Sequence, residues 1–217
     1  MNRQLSATDR AYQDTRARII DGRLAGGDVI TEGQVSTSLG VSRTPVREAF
    51  LRLQAEGFLE LYPKRGAVVV PISPDEATSL SEARELIETF AITKLLTEND
   101  RAPSTLVDEL WDLVTEQSKH ARARDLGAFT AAESNFHLAI VAAAQNSFLT
   151  GLFEALRDRQ QRLTLTTTGR ITVDLDDIIT EHHKLVRLLE EGELDPALSA
   201  VRSHARAARR GAPRDRR

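Results

Sequence analysis

The stretch at residues 40–50 reads GVSRTPVREAF, and Pro45 within it permits few backbone solutions. Inside a helix a proline removes one hydrogen bond and collides with the preceding turn, but in the first turn it costs nothing. Ser42 or Thr44 can cap a helix here, and under either choice Pro45 falls in the first turn. The spacing therefore predicts a helix that begins at this point. On it Val46, Ala49, Phe50 and Leu53 share one face, and Arg43 and Arg47 lie one turn apart on another.

The surrounding text supplies partners for the apolar face. DRAYQDTRARIIDGRL reads as a helix with Tyr12, Ile19 and Ile20 as core residues. EGQVSTSL reads as a short second helix, and Gly40 stands where a left-handed stop is wanted. After Gly57, FLELY and AVVVP read as two strands joined by PKRG. Helix, helix, turn, helix, then a hairpin is the plan of a winged helix-turn-helix. The third helix would lie in a DNA major groove, with Arg43 and Arg47 reaching guanines or phosphates. The hairpin tip, with Lys64, Arg65 and Gly66, would lie against the backbone or the minor groove.

PISPDEA, residues 71–77, marks a boundary. Ser73, Pro74 and Glu76 provide an N-cap, a first-turn proline and a capping-box acid. The division gives a DNA-binding domain over 1–72, an all-helical domain over 73–208, and a basic tail over 209–217 read as disordered. Charge follows the same division. Residues 1–72 carry ten Lys/Arg against eight Asp/Glu, residues 73–208 carry 14 against 23, and the tail five against one. The head and tail tolerate phosphate, whereas the middle repels it. The chain has no cysteine, which excludes thiolate metal sites and fits a reducing cytoplasm. No apolar run approaches the length of a bilayer span, and the polar start MNRQLSATDR is not read as a signal peptide.

The helical domain carries a second constellation. In a helix from about Leu126 to Ala144, Glu133 and His137 fall on the apolar stripe of Phe129, Ile140 and Val141, one turn apart. His182 shares a face with Leu185, Val186 and Leu189. His204 shares one with Ala197, Val201, Ala205 and Ala208. His183 lies on a more polar face, with Arg187 and Glu190. A buried carboxylate is costly unless paired or coordinated. One carboxylate and three imidazoles without a thiol suit a divalent metal, Zn²⁺, Ni²⁺ or Mn²⁺. The competing reading is a salt-bridged Glu133 beside ordinary core histidines. Arg84 shares a face with Leu80, Ile87 and Ala91. It is read either as a clamp on an effector carboxylate or as an i, i+4 partner of Glu88. The threonines 164, 166, 167 and 168 either line a polar cavity or mark a fraying helix end.

The run LGVSRTPVREA, followed by RLQAEGFLE and a glycine-tipped wing, resembles the DNA-binding domain of GntR-type bacterial regulators. EARELIE, ESNFHLAIVAAAQNSFL and EHHKLVRLLEEGELDPALSAVRSHA resemble the FCD effector domain of the FadR-type branch. The resemblance implies a homodimer that offers two recognition helices to an inverted-repeat operator on double-stranded DNA. It implies operator contacts from Arg43, Thr44 and Arg47, with Ser42 beside them and Gly66 in the wing. It also implies a divalent metal and a small carboxylate effector bound in the bundle, with Asn146 either touching that ligand or capping the next helix. Gly26-Gly27 replaces the usual Pro-Gly, Gly33 replaces a usual polar or basic residue, and Glu133 replaces the usual aspartate.

The expected fold is thus mainly α, a winged helix-turn-helix with a small hairpin wing plus a C-terminal all-α bundle. The expected function is ligand-responsive regulation of transcription, more often repression, by a cytoplasmic, non-membrane protein that is no enzyme. Two alternatives remain: a DNA-binding dimer with an empty bundle, and a metal-dependent hydrolase.

Overall fold

A computed structural model describes the backbone of residues 5–170 and 174–210, and the side chains of 5–165 and 174–207. Expectations that rest on the tail beyond these residues, on Thr166, Thr167 and Thr168, or on the Ala208 side chain lie outside them. The chain divides into two compact units, Met1–Ile72 and Ser73–Arg217.

The first unit holds α1 (Ala7–Ile20), α2 (Glu32–Leu39) and α3 (Arg43–Ala55) with three strands, β1 (Val29–Ile30), β2 (Leu59–Tyr62) and β3 (Gly66–Val69). Helix α1 starts at Ser6, whose Oγ accepts from the Asp9 N–H at 3.0 Å. It ends four residues before the expected stop at Leu24, because Gly22 takes a left-handed φ of 77°. Thr31 caps α2 in a full capping box with Gln34, and Gly40 closes that helix at φ 62°. Ser42 is the N-cap residue of α3, although its side chain makes no capping hydrogen bond. Pro45 accordingly lies in the first turn. The strands form an antiparallel sheet ordered β1-β3-β2, with Val29 opposite Val68 and Ile30 opposite Ala67. Strand β1 was not among the expected elements, since two residues carry no periodicity.

Phe50, Leu53, Val46 and Ala49 are buried against Ile19, Val35, Phe58, Leu59, Ala67 and Val69. Burying Phe50 alone contributes about 2–3 kcal/mol. Tyr12 corrects the expectation of a core residue. It is only partly buried, its hydroxyl donates to Glu56 Oε2 at 2.7 Å, and Arg52 stacks 3.7 Å from its ring centroid.

The second unit is a bundle of α4 (Pro74–Glu98), α5 (Ser104–Ala123), α6 (Leu126–Ala143), α7 (Ser147–Arg170), α8 (Leu175–Glu191) and α9 (Leu194–Arg210). Ser73 caps α4 by accepting from the Glu76 N–H at 3.1 Å. The Glu76 carboxylate accepts from Arg159 Nε at 3.2 Å. The expected capping-box acid thus ties α4 to α7. Phe129, Phe136, Ile140, Phe153, Leu110 and Leu189 are among the largest fully buried side chains of the core. The α8–α9 turn needs Gly192, whose φ is 78° and where a Cβ would collide with the Asp100 carbonyl oxygen.

Candidate metal centre and nucleic-acid surface

In the first unit, the turn from α2 into α3 exposes Ser42, Arg43, Thr44 and Arg47 on the side opposite the buried face of α3. Lys64 and Arg65 are exposed at the hairpin tip. Among the described residues none of these four cations forms an ion pair. Arg52, on the same helix, is by contrast held on Tyr12 and Glu56. A Cβ on Gly33 would stand 3.7 Å from Arg43 Nη2, so the Arg43 guanidinium lies over the first turn of α2. At the wing tip the Arg65 N–H donates to the Tyr62 carbonyl at 3.1 Å, and Lys64 takes a left-handed φ of 63°. Gly66 has φ 97°, and a Cβ there would lie 2.6 Å from the Ile30 carbonyl oxygen. The glycine lets β3 start flush against β1.

In the second unit, α6 brings Glu133 and His137, α8 brings His182, and α9 brings His204 to one place. All four are buried, and one donor atom from each lies within 4.8 Å of the others. His137 Nε2 stands 3.1 Å from His182 Nε2 and 3.5 Å from Glu133 Oε1. His204 Nε2 stands 3.7 Å from the same oxygen. Ligands about 2.1 Å from a shared ion sit roughly 3.0 Å apart at right angles and roughly 3.4 Å apart at tetrahedral angles. The 3.1 and 3.5 Å spacings match these values, and the 3.7 Å spacing is a few tenths of an ångström wider.

Each ring is held from behind. His137 Nδ1 meets Glu88 Oε2 at 2.8 Å, His182 Nδ1 meets Gln117 Oε1 at 2.7 Å, and His204 Nδ1 meets Glu181 Oε2 at 2.7 Å. A carboxylate or amide oxygen only accepts, so each Nδ1 carries a proton, and a ring that is neutral turns a bare Nε2 inward. Two such lone pairs facing each other at 3.1 Å repel unless a cation or proton lies between them. The donor set fits a divalent ion on this ground. Glu88, Gln117 and Glu181 were not among the expected site residues. Glu88 did carry a signal, since it stands one turn from Arg84 on a largely apolar face.

Arg84, 5% exposed, donates from Nε to Glu88 Oε1 at 2.7 Å and from Nη2 to Glu133 Oε1 at 2.8 Å. The i, i+4 pair is therefore formed, and a second carboxylate is added to it. Burial pushes the Glu88 carboxyl up, but the facing His137 and Arg84 outweigh it and hold it down, to about 2. Burial likewise opposes ionisation of Glu133, yet Arg84 and His204 hold it well below the usual range. Burial pushes His137 down, helped by Arg84, and pushes His182 well down, helped by the neighbouring rings. His204 is the exception: burial lowers it, but Glu133 and Glu181 raise it above the ordinary value. Asn146 is not gathered into this cluster. It lies beyond the end of α6, between Ala143 and Ser147, and its Oδ1 accepts from the Leu149 N–H at 3.2 Å. His183 is exposed and packs its ring 5.5 Å from that of Trp111. An open groove of about 460 Å³, lined by Glu181, Ser199, Arg202, Ser203 and Arg206, runs along α8 and α9 beside His204.

Residues 7–69 match the bacterial regulatory proteins of the gntR family, and residues 79–207 match the FCD domain. The chain is a GntR-family transcriptional regulator with an FCD domain. A probable D-xylose utilization operon transcriptional repressor of Paenarthrobacter nicotinovorans is 30% identical over 189 residues, 87% of this chain and 81% of that protein. The gluconate operon transcriptional repressor of Bacillus subtilis is 26% identical over 179 residues, 81% of this chain and 72% of that protein. A GntR regulator structure from Rhodococcus sp. RHA1 has the same fold, with a TM-score of 0.79 at 20% identity over 95% of this chain and 97% of that one. This GntR-family chain is thus a DNA-binding regulator of transcription and not an enzyme, which removes the hydrolase alternative. Among the described residues no helix is long and apolar enough to cross a membrane.

Proposed function

We propose that this regulator represses an operon by binding an inverted-repeat operator as a homodimer, and releases it in response to a small organic acid held at a metal centre. The observation that carries this reading is the convergence of three Nε2 atoms and Glu133 on one buried point, each ring held from behind. A metal there would be held by Glu133, His137, His182 and His204. The donor set, without thiolate, suits Zn²⁺, Ni²⁺ or Mn²⁺. The ion would supply a Lewis-acidic anchor for a carboxylate or hydroxyl oxygen of the effector.

Arg84 borders the same point and supplies the cation for the effector's carboxylate, and Asn146 keeps its capping role. Arg202 and Arg206, at the rim of the groove beside His204, attract an organic anion toward it. The relatives repress operons named for a sugar and for gluconate, and gluconate is itself a hydroxylated carboxylate.

On the operator, Arg43 and Arg47 read bases or phosphates, Ser42 and Thr44 contact the backbone beside them, and Lys64, Arg65 and Gly66 place the wing. Homodimerisation has support in two exposed apolar pairs, Leu86 (72% exposed) with Phe90 on α4, and Phe148 (90% exposed) with Leu152 on α7. Arg159–Glu76 and Lys94 Nζ to the Ala144 carbonyl, 2.9 Å, tie α4 alongside α7 and the end of α6.

The test measures operator affinity of metal-loaded and metal-stripped protein against a panel of sugar acids and dicarboxylates. At least one acid is expected to weaken binding only when metal is present. Affinity unchanged by every acid in both forms would defeat the reading. Arg43→Ala and Arg47→Ala should each cost about 1–3 kcal/mol of operator binding.

A further inference from the structure

We propose that Arg84 is the resident cation of the metal-free centre, bound to the same carboxylate oxygen that faces the incoming metal, and that it limits how tightly the metal is held. This inference rests on the metal reading above. The geometry that points to it is the sharing of one atom. Glu133 Oε1 accepts from Arg84 Nη2 at 2.8 Å, while His137 Nε2 and His204 Nε2 face that same oxygen at 3.5 and 3.7 Å. The second arm of the guanidinium is anchored on Glu88 at 2.7 Å, and Glu88 in turn holds His137. Arg84 is thus fastened to one candidate ligand directly and to another through a single carboxylate.

Charge explains the consequence. The buried cluster holds two carboxylates and one guanidinium, and a guanidinium does not discharge at any pH the fold survives. With neutral rings the metal-free cluster sums to −1. A divalent ion turns that to +1 in a site where Glu88, Glu133 and Arg84 have almost no access to water. A fixed positive charge a few ångströms away repels the metal strongly at low dielectric. The metal must therefore compete with Arg84 for Glu133. The excess positive charge that results is what an effector anion would neutralise, which makes metal loading a precondition for tight anion binding.

The experiment measures Zn²⁺ affinity of the full chain by chelator competition, with Zn²⁺ alone as the probe. Arg84→Gln should bind Zn²⁺ at least about tenfold more tightly than the natural chain. Arg84→Lys keeps the charge and should stay within about threefold. If Arg84→Gln binds equally or more weakly, Arg84 merely orients Glu133 and the proposal is overturned while the metal reading stands. If the natural chain binds no Zn²⁺, both fall. Should Arg84→Gln fail to fold, a titration of the natural chain decides instead. The Arg84 Nε–H resonance, assigned from its loss in Arg84→Lys, must shift on Zn²⁺ addition, and an unmoved resonance overturns the proposal.

Discussion

His182 Nδ1 lies 2.7 Å from Oε1 of Gln117, a residue 65 positions earlier in the chain. Gln117 is fully buried on α5, and its Nε2 faces the Ala132 carbonyl of α6 at 3.5 Å, which is consistent with this orientation of the amide. One neutral side chain thus fixes the tautomer and the ring angle of His182. Gln117→Leu keeps the volume and removes the acceptor, which frees the ring to turn. Metal affinity should fall about 10- to 100-fold, the usual loss when the partner behind a ligating histidine is removed. Gln117→Glu should retain most of it. Chelator competition on the two variants checks the pair.

The apolar pairs on α4 and α7 carry a prediction about assembly. Leu86 and Phe148 are mostly exposed to water in a single chain, at a cost of about 1.5–3 kcal/mol each relative to burial. Leu86→Asp with Phe148→Asp should leave the monomer folded, since neither side chain contributes to the core. Sedimentation at micromolar concentration should show a monomer for the variant and a dimer for the natural chain. Operator affinity should fall in parallel, because a monomer offers one recognition helix where two are needed.

Much of this molecule was legible in its sequence, and the reasons differ by element. Pro45 fixed the start of α3, because only a first turn accommodates it, and the phases of Val46 and Phe50 followed. Glu133, His137, His182 and His204 were legible as candidates because polar residues on apolar stripes are costly, and the structure gathers all four within 4.8 Å. The residues behind them were harder to read. Gln117 and Glu181 have no local pattern that marks them, because their roles come from α5 packing on α8 and from the pairing of α8 with α9. Glu88 was read only as an i, i+4 partner of Arg84 on the same helix, whereas it is 1% exposed and spans two elements. Strand β1 escaped notice because its two residues pair through register with β3 and have no periodicity of their own.

Gly66 offers a test confined to the wing. A Cβ there would lie 2.6 Å from the Ile30 carbonyl oxygen and 3.1 Å from Thr31 Cγ2, and the φ of 97° is strained for any L side chain. Gly66→Ala must shift β3 away from β1, at a cost of about 1–3 kcal/mol to the first unit. Because Tyr62 pairs with Gly66, the turn that carries Lys64 and Arg65 moves as well. Thermal unfolding should show the loss. Operator affinity should also fall, with a shallower salt dependence as the wing cations leave the phosphates. Unchanged affinity would mean that the wing contributes nothing to DNA binding.

The buried cluster makes the metal-free protein sensitive to acid. Glu88 is lowered from 4.5 to about 2, and Glu133 well below 4.5. A carboxyl depressed on folding contributes stability above its unfolded value and loses it as pH falls through the folded one, so the Glu88 contribution drains between pH 4.5 and about 2. His137 and His182 are depressed below 6.5. They act in the same direction, because the unfolded chain takes up protons that the folded chain refuses once pH drops below 6.5. His204, raised above 6.5, works the other way: its contribution is full below 6.5 and fades as pH rises through its folded value. The two depressed rings and three depressed carboxyls, Glu88, Glu133 and the Glu181 that His204 holds down, outnumber it. The unfolding midpoint of metal-stripped protein should therefore decline as pH is lowered from about 7, and decline faster below 4.5. Glu88→Gln removes one of the groups that drive the lower limb and should flatten it, while leaving the limb governed by the histidines in place. Thermal scans of both proteins across this range separate the two contributions. A midpoint that rises on acidification would show that His204, and not the carboxylates, governs the charge balance of the site.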